Sequence, residues 1–152
     1  MSSTTAKSFI DTNVLVYAGD DDTPTKQHVA RTLIAEQSGR AVVSTQVLQE
    51  YYVAATRKLG VAPLRAKEVI NAARAAFESV VVTPELINRA VDGSVLWQVS
   101  FWDALILACA EDAACTVVFS EDLNSGQRYG GVRVENPFAN TSLSNGPSGR
   151  DG

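Results

Sequence analysis

The stretch SFIDTNVLVYA, residues 8–18, sets three polar residues, Asp11, Thr12 and Asn13, between two apolar runs. Asp and Thr are good helix N-caps, so the triplet marks the point where a short strand gives way to a helix. It also puts a carboxylate at the carboxyl end of a strand, where open α/β sheets hold their ligands. A single aspartate satisfies both readings, so the fold depends on whether the pattern recurs along the chain.

Short apolar, β-branched runs return at 41–44, 80–82, 116–119 and 132–134. Helical patterns lie between them, around 13–18, 25–38, 45–59, 63–78, 84–92 and 101–114, with Pro63 and Pro84 suited to first-turn positions and Thr83 to a cap. The strand runs do not alternate in polarity, as expected when helices cover both faces of a sheet. The expected fold is α/β: a three-layer α/β/α sandwich around a mainly parallel sheet. At 152 residues and 45% hydrophobic, the chain suits one domain with one core. Residues 1–138 are read as that domain. Residues 139–152, ANTSLSNGPSGRDG, lack apolar periodicity and are expected to form a disordered tail.

Thirteen Lys and Arg against 17 Asp and Glu give a net charge of -4, so no global field draws the chain to a polyanion. Any nucleic-acid contact needs a local basic patch or a metal ion. Cys109 and Cys115 are too few for a disulfide framework and read as buried free thiols. The opening MSSTTAKSFID lacks a signal-peptide pattern, and VLWQVSFWDALILACA is interrupted by Gln98, Ser100 and Asp103. The expectation is a cytoplasmic protein with no membrane span.

The acids fall at element ends. Asp11 follows the first strand, Asp122 follows the strand TVVFS, and Asp103 opens the apolar helix before that strand. In a parallel sheet these positions share one rim. Glu50, in TQVLQEYYVAATRKL, lies at the margin of its helix's apolar stripe, with no Lys or Arg three or four residues away. A half-buried carboxylate without a partner is costly, so a cation from elsewhere is expected to meet it. Each acid also has a structural reading: Asp11 as a cap, Asp103 in a capping box with Ser100, Asp122 in a turn, Glu50 solvated. All four structural readings holding at once is much less probable than any one of them.

Clustered carboxylates repel one another, and oxygen-only donor sets suit Mg²⁺ or Mn²⁺. Zinc lacks its usual ligands, because the one histidine, His28, reads as a solvated helix residue. A hydrated divalent ion beside a phosphodiester supports hydrolysis and supplies the positive potential that the net charge does not. The densest basic run, Arg57, Lys58, Arg65, Lys67 and Arg74, contains candidate RNA contacts, with a solvated helical face as the alternative.

FIDTNVLVY, the acid of VLQEYY, SFWDALILACA and FSEDLNSGQRYGGVRVENPF, in this order over residues 7–138, resemble a PIN domain of the bacterial VapC-like toxin group. The resemblance implies an endoribonuclease dependent on Mg²⁺ or Mn²⁺, usually a homodimer, held inactive by a cognate antitoxin. Its acidic quartet corresponds to Asp11, Glu50, Asp103 and Asp122. Thr12, Asn13 and Ser120 correspond to supporting polar positions, and Glu121 is a rival for the fourth acid. Three alternatives stay open: an RNA-processing nuclease without an antitoxin, a receiver domain, which would need a Lys after Lys67 that is not there, and a catalytically idle binding module.

Overall fold

The computed structural model describes residues 6–139, so the expected tail falls, Ala139 apart, outside the described residues. Six strands and six helices follow in the order β1 (Lys7–Ile10), α1 (Thr12–Ala18), α2 (Pro24–Glu36), β2 (Ala41–Ser44), α3 (Thr45–Lys58), α4 (Pro63–Ala76), β3 (Glu78–Val80), α5 (Pro84–Trp97), α6 (Phe101–Asp112), β4 (Cys115–Phe119), β5 (Arg128–Tyr129) and β6 (Val132–Glu135). The sheet order is β3-β2-β1-β4-β6-β5, and every pairing is parallel except β5 with β6.

Right-handed crossovers dictate the layers. The chain moves outward from β1 to β2 to β3, carrying α1 to α4 over one face, then returns to the other side of β1 through α5 and α6 on the opposite face. The middle strands are buried on both sides: Phe9, Ile10, Val42, Val43 and Val118 are fully enclosed. Helix α6 is buried from Ala104 to Ala110 without a polar stripe, as befits a helix enclosed by its neighbours. Among the described residues no single helix is long and apolar enough to cross a membrane.

Three departures from the sequence reading have physical causes. The run expected as a strand at 80–82 pairs instead over Glu78–Val80, because its register comes from β2: Val43 lies opposite Ser79 and Ser44 opposite Val80. Helix α5 continues five residues past the expected 92, through Gly93, because the Trp97 ring packs where a Cβ on Gly93 would lie, at 2.8 Å. The hairpin β5–β6 has a two-residue turn in which Gly130 takes φ +60°, a conformation that suits glycine.

Candidate active site

Between β1 and β4 the chain changes direction across the sheet, and crevices of this kind open at the carboxyl ends of the strands. Asp11 follows β1, and Ser120, Glu121 and Asp122 follow β4, with the Asp11 backbone N–H donating to the Phe119 carbonyl at 3.1 Å. Glu50 comes from α3, which follows β2. Asp103 is the third residue of α6, whose N-terminus reaches the same rim.

Asp11 performs both tasks that its position allows. It caps α1, accepting from the Thr12 N–H at 2.7 Å on Oδ1, while Oδ2 accepts from the Ser120 hydroxyl at 2.7 Å. The residue is only 4% exposed. Burial pushes its carboxyl up to about 6; the bonds from Ser120 and Thr12 oppose the shift, and the Asp122 and Glu50 charges add to it.

Thr12, Asn13 and Ser120 each donate to a different acid. Thr12 Oγ1 donates to Glu50 Oε1 at 2.7 Å, Asn13 Nδ2 to Asp122 Oδ2 at 3.2 Å, and Ser120 Oγ to Asp11 Oδ2. Asp103 sits in the expected capping box, its backbone N–H donating to Ser100 Oγ at 3.1 Å. Its carboxyl is raised first by burial and further by the Asp122 and Glu50 charges, while the Ser100 hydrogen bond lowers it. Asp11 and Asp103 therefore both feel the Asp122 and Glu50 charges.

Among the described residues the cation expected at Glu50 is not found: the carboxylate is held by neutral donors, the Thr12 hydroxyl and the Gln46 amide at 3.1 Å. Gln46, one turn earlier on α3, also donates to the Trp102 carbonyl at 3.3 Å, tying α3 to the first turn of α6. It is 5% exposed, and its own Oε1 has no hydrogen-bond partner. The i−4 spacing of Gln46 and Glu50 is legible in the sequence and sets a neutral amide, in place of a cation, within reach of the carboxylate. Glu121 is engaged elsewhere, with Lys26 Nζ at 2.5 Å and the Tyr17 hydroxyl donating at 2.7 Å, and Lys26 also lies 4.7 Å above the Tyr17 ring.

A cleft of about 570 Å³ is lined by Thr12, Asn13, Tyr17, Glu50, Glu121 and Asp122, with Lys58 at its edge. Arg57 and Lys58 occupy the last turn of α3. Arg65, paired with Glu68 at 2.9 Å, and Lys67 lie on α4 and line neither this cleft nor the groove beside it. His28 is exposed on α2, and both cysteines are buried and free.

The residues present fit a hard divalent cation by chemistry: the donors are all oxygen, and among the described residues no Lys or Arg pairs with any of the four acids. Spacing is another matter. Among the described residues no three His, Cys, Asp or Glu side chains stand close enough to hold one ion together, so the expected tight cluster is not formed in this side-chain arrangement. Glu50, Asp122 and Asp11 are each held by a separate neutral donor, and mutual repulsion favours keeping them apart.

Fold and rim together define an α/β domain with an acid-lined cleft at the carboxyl edge of its sheet. The chain belongs to the PIN domain family, whose model matches residues 8–129. Comparison with curated protein sequences returns no match. Among solved structures the fold is similar to VapC20 of Mycobacterium tuberculosis, a sarcin–ricin-loop-cleaving toxin, at 22% identity and TM-score 0.62, covering 76% of this chain and 90% of that one. It is also similar to a toxin–antitoxin complex from Klebsiella pneumoniae at 18% identity and TM-score 0.65, covering 86% and 98%. A DNA-bound VapBC from Salmonella typhimurium matches at 20% identity and TM-score 0.65, covering 87% and 98%.

Proposed function

We propose that this chain is a cytoplasmic endoribonuclease dependent on Mg²⁺ or Mn²⁺, the toxin of a type II toxin–antitoxin pair, working as a homodimer restrained by a cognate antitoxin. Residues 1–138 form the nuclease domain in this reading. One observation carries it: acids from four separate segments lie along one sheet rim of a PIN domain, three of them bonded to neutral side-chain donors, and among the described residues none of the four pairs with a Lys or Arg. The similar folds described as an RNA-cleaving toxin and as toxin–antitoxin complexes support the substrate class and the partner.

Asp11 and Asp103 would be the principal metal ligands, with Glu50 and Asp122 holding a second ion or orienting the attacking water. A divalent ion held by these acids would supply polarisation of a phosphoryl oxygen and a lowered pKa for the attacking water. The chain's own residues prepare the acids. Ser120 and the Thr12 N–H favour the charged form of Asp11 against its burial, while Thr12 and Asn13 orient Glu50 and Asp122.

The test is cleavage of a mixed RNA pool by purified, antitoxin-free protein with Mg²⁺ or Mn²⁺. Wild type should cut, while Asp11→Asn and Asp103→Asn should lose at least about 100-fold of the rate. An uncut pool overturns the enzymatic reading, and equal cutting by Asp11→Asn exposes a contaminant. Induced expression should arrest growth, and a small protein encoded beside the gene should restore it. Cutting without arrest would favour an RNA-processing role.

A further inference from the structure

A second groove of about 550 Å³ lies beside the acid cleft and shares Glu50, Ala54 and Lys58 with it. Its walls are mostly apolar, and its other lining residues include Gln46, Val53, Arg57 and Trp102. Trp102 is 61% exposed although it stands next to Asp103. Its ring meets Phe101 in a T-shaped contact with centroids 5.0 Å apart, which leaves most of the indole open to solvent. Its backbone is held where it stands, because the carbonyl accepts from the buried Gln46 amide that also bonds Glu50. Exposed at the groove, it is therefore an aromatic surface whose backbone is tied through one side chain to a candidate catalytic acid.

The charges beside it are equally specific. Arg57 and Lys58 are exposed and, among the described residues, form no ion pair, unlike Arg65, Arg89 and Arg133. They lie two turns beyond Glu50 on α3, roughly 10 Å along the axis, and Lys58 lines the acid cleft as well as this groove. A free aromatic face next to two unpaired cations suits a flexible polyanion that carries stackable bases. A base inside a duplex is already covered by its neighbours, which leaves an unpaired one.

We propose that this groove binds one unpaired nucleotide of single-stranded RNA next to the cut, its base stacked on Trp102 and its neighbouring phosphates held by Arg57 and Lys58. The proposal rests on the ribonuclease reading of the acid cleft and adds to it a base-stacking position at Trp102.

The experiment measures binding apart from cleavage. A labelled single-stranded oligoribonucleotide of mixed sequence and its duplex are titrated with the full chain in Ca²⁺, while cutting is measured separately in Mg²⁺ or Mn²⁺. Trp102→Ala should weaken single-strand binding about 5- to 100-fold and leave duplex binding unchanged, and Trp102→Phe should keep most of the affinity. The Arg57→Gln, Lys58→Gln double variant should reduce the log–log salt slope by about 1.4. Equal affinity of wild type and Trp102→Ala, or no binding by wild type, overturns the proposal. So does unchanged affinity with a shift in self-association by sedimentation, which would assign the groove to a second copy of the chain. Wild-type cutting with an indifferent Trp102 sinks the subsite alone. Stacking without cutting supports the subsite and sinks the catalytic reading alone.

Discussion

The Ser120 hydroxyl donates to Asp11 Oδ2 at 2.7 Å across the gap between β1 and β4, joining residues 109 apart in the chain. This bond and the Thr12 N–H satisfy both carboxylate oxygens, yet burial still holds Asp11 up to about 6. Charging Asp11 in this setting is therefore unfavourable relative to water.

Folded Asp11 keeps its proton up to about pH 6, whereas an unfolded aspartate releases it near the ordinary 3.8. The stability this group contributes is greatest below pH 3.8, falls as pH rises to about 6, and stays low above that. Asp11→Asn should stabilise the metal-free protein at pH 7.5 by on the order of 2 to 3 kcal/mol, and much less at pH 4, while abolishing cleavage. Urea melts at the two pH values in chelator measure this, and a destabilised variant at pH 7.5 would contradict it. Mn²⁺ should raise the melting temperature of wild type and not of the variant.

Glu121 and Asp122 are adjacent in sequence but are held by different partners: Lys26 and Tyr17 hold the first, Asn13 the second. Glu121→Gln should cost about 1 to 2 kcal/mol of stability, because Lys26 loses its counter-charge in a partly buried setting, and should leave metal affinity within about threefold. Asp122→Asn should do the opposite, sparing stability and lowering the cleavage rate. Thermal melts and calorimetric Mn²⁺ titration of the pair would show which acid belongs to the site.

Gln46→Leu removes a buried carbonyl that has no partner, one of the two donors to Glu50 and the donor to the Trp102 carbonyl. These effects oppose each other, so stability should change by less than about 1 kcal/mol. Metal affinity should fall about 10- to 100-fold, since Glu50 would be less firmly oriented. Calorimetry on the folded variant decides it, and unchanged affinity would make Gln46 a packing residue only.

Burial pushes the Cys109 thiol up to about 11 and the Cys115 thiol up to about 12, so neither supplies thiolate near neutral pH. An aromatic disulfide reagent at pH 7.5 should leave both unmodified in the folded protein and label both in denaturant. Rapid labelling of the native protein would place at least one thiol at an accessible surface.

What the sequence determined was local or periodic. Unbroken β-branched runs separated by capped helical patterns define a buried parallel sheet between helices, because strand and helix periods and cap chemistry act over a few residues. The same logic put Asp11, Asp103 and Asp122 at element ends. Tertiary structure alone decided the rest, which depends on pairings between distant segments. The register of β3 is inherited from β2, and the continuation of α5 through Gly93 depends on how the Trp97 ring packs. That Glu50 is held by Thr12 and Gln46 in place of a cation, that Lys26 and Tyr17 claim Glu121, and that the carboxylates stand apart along their rim follow from how layers meet in space. Pattern along one segment cannot carry that information, because contact energy depends on which surfaces the whole chain brings together.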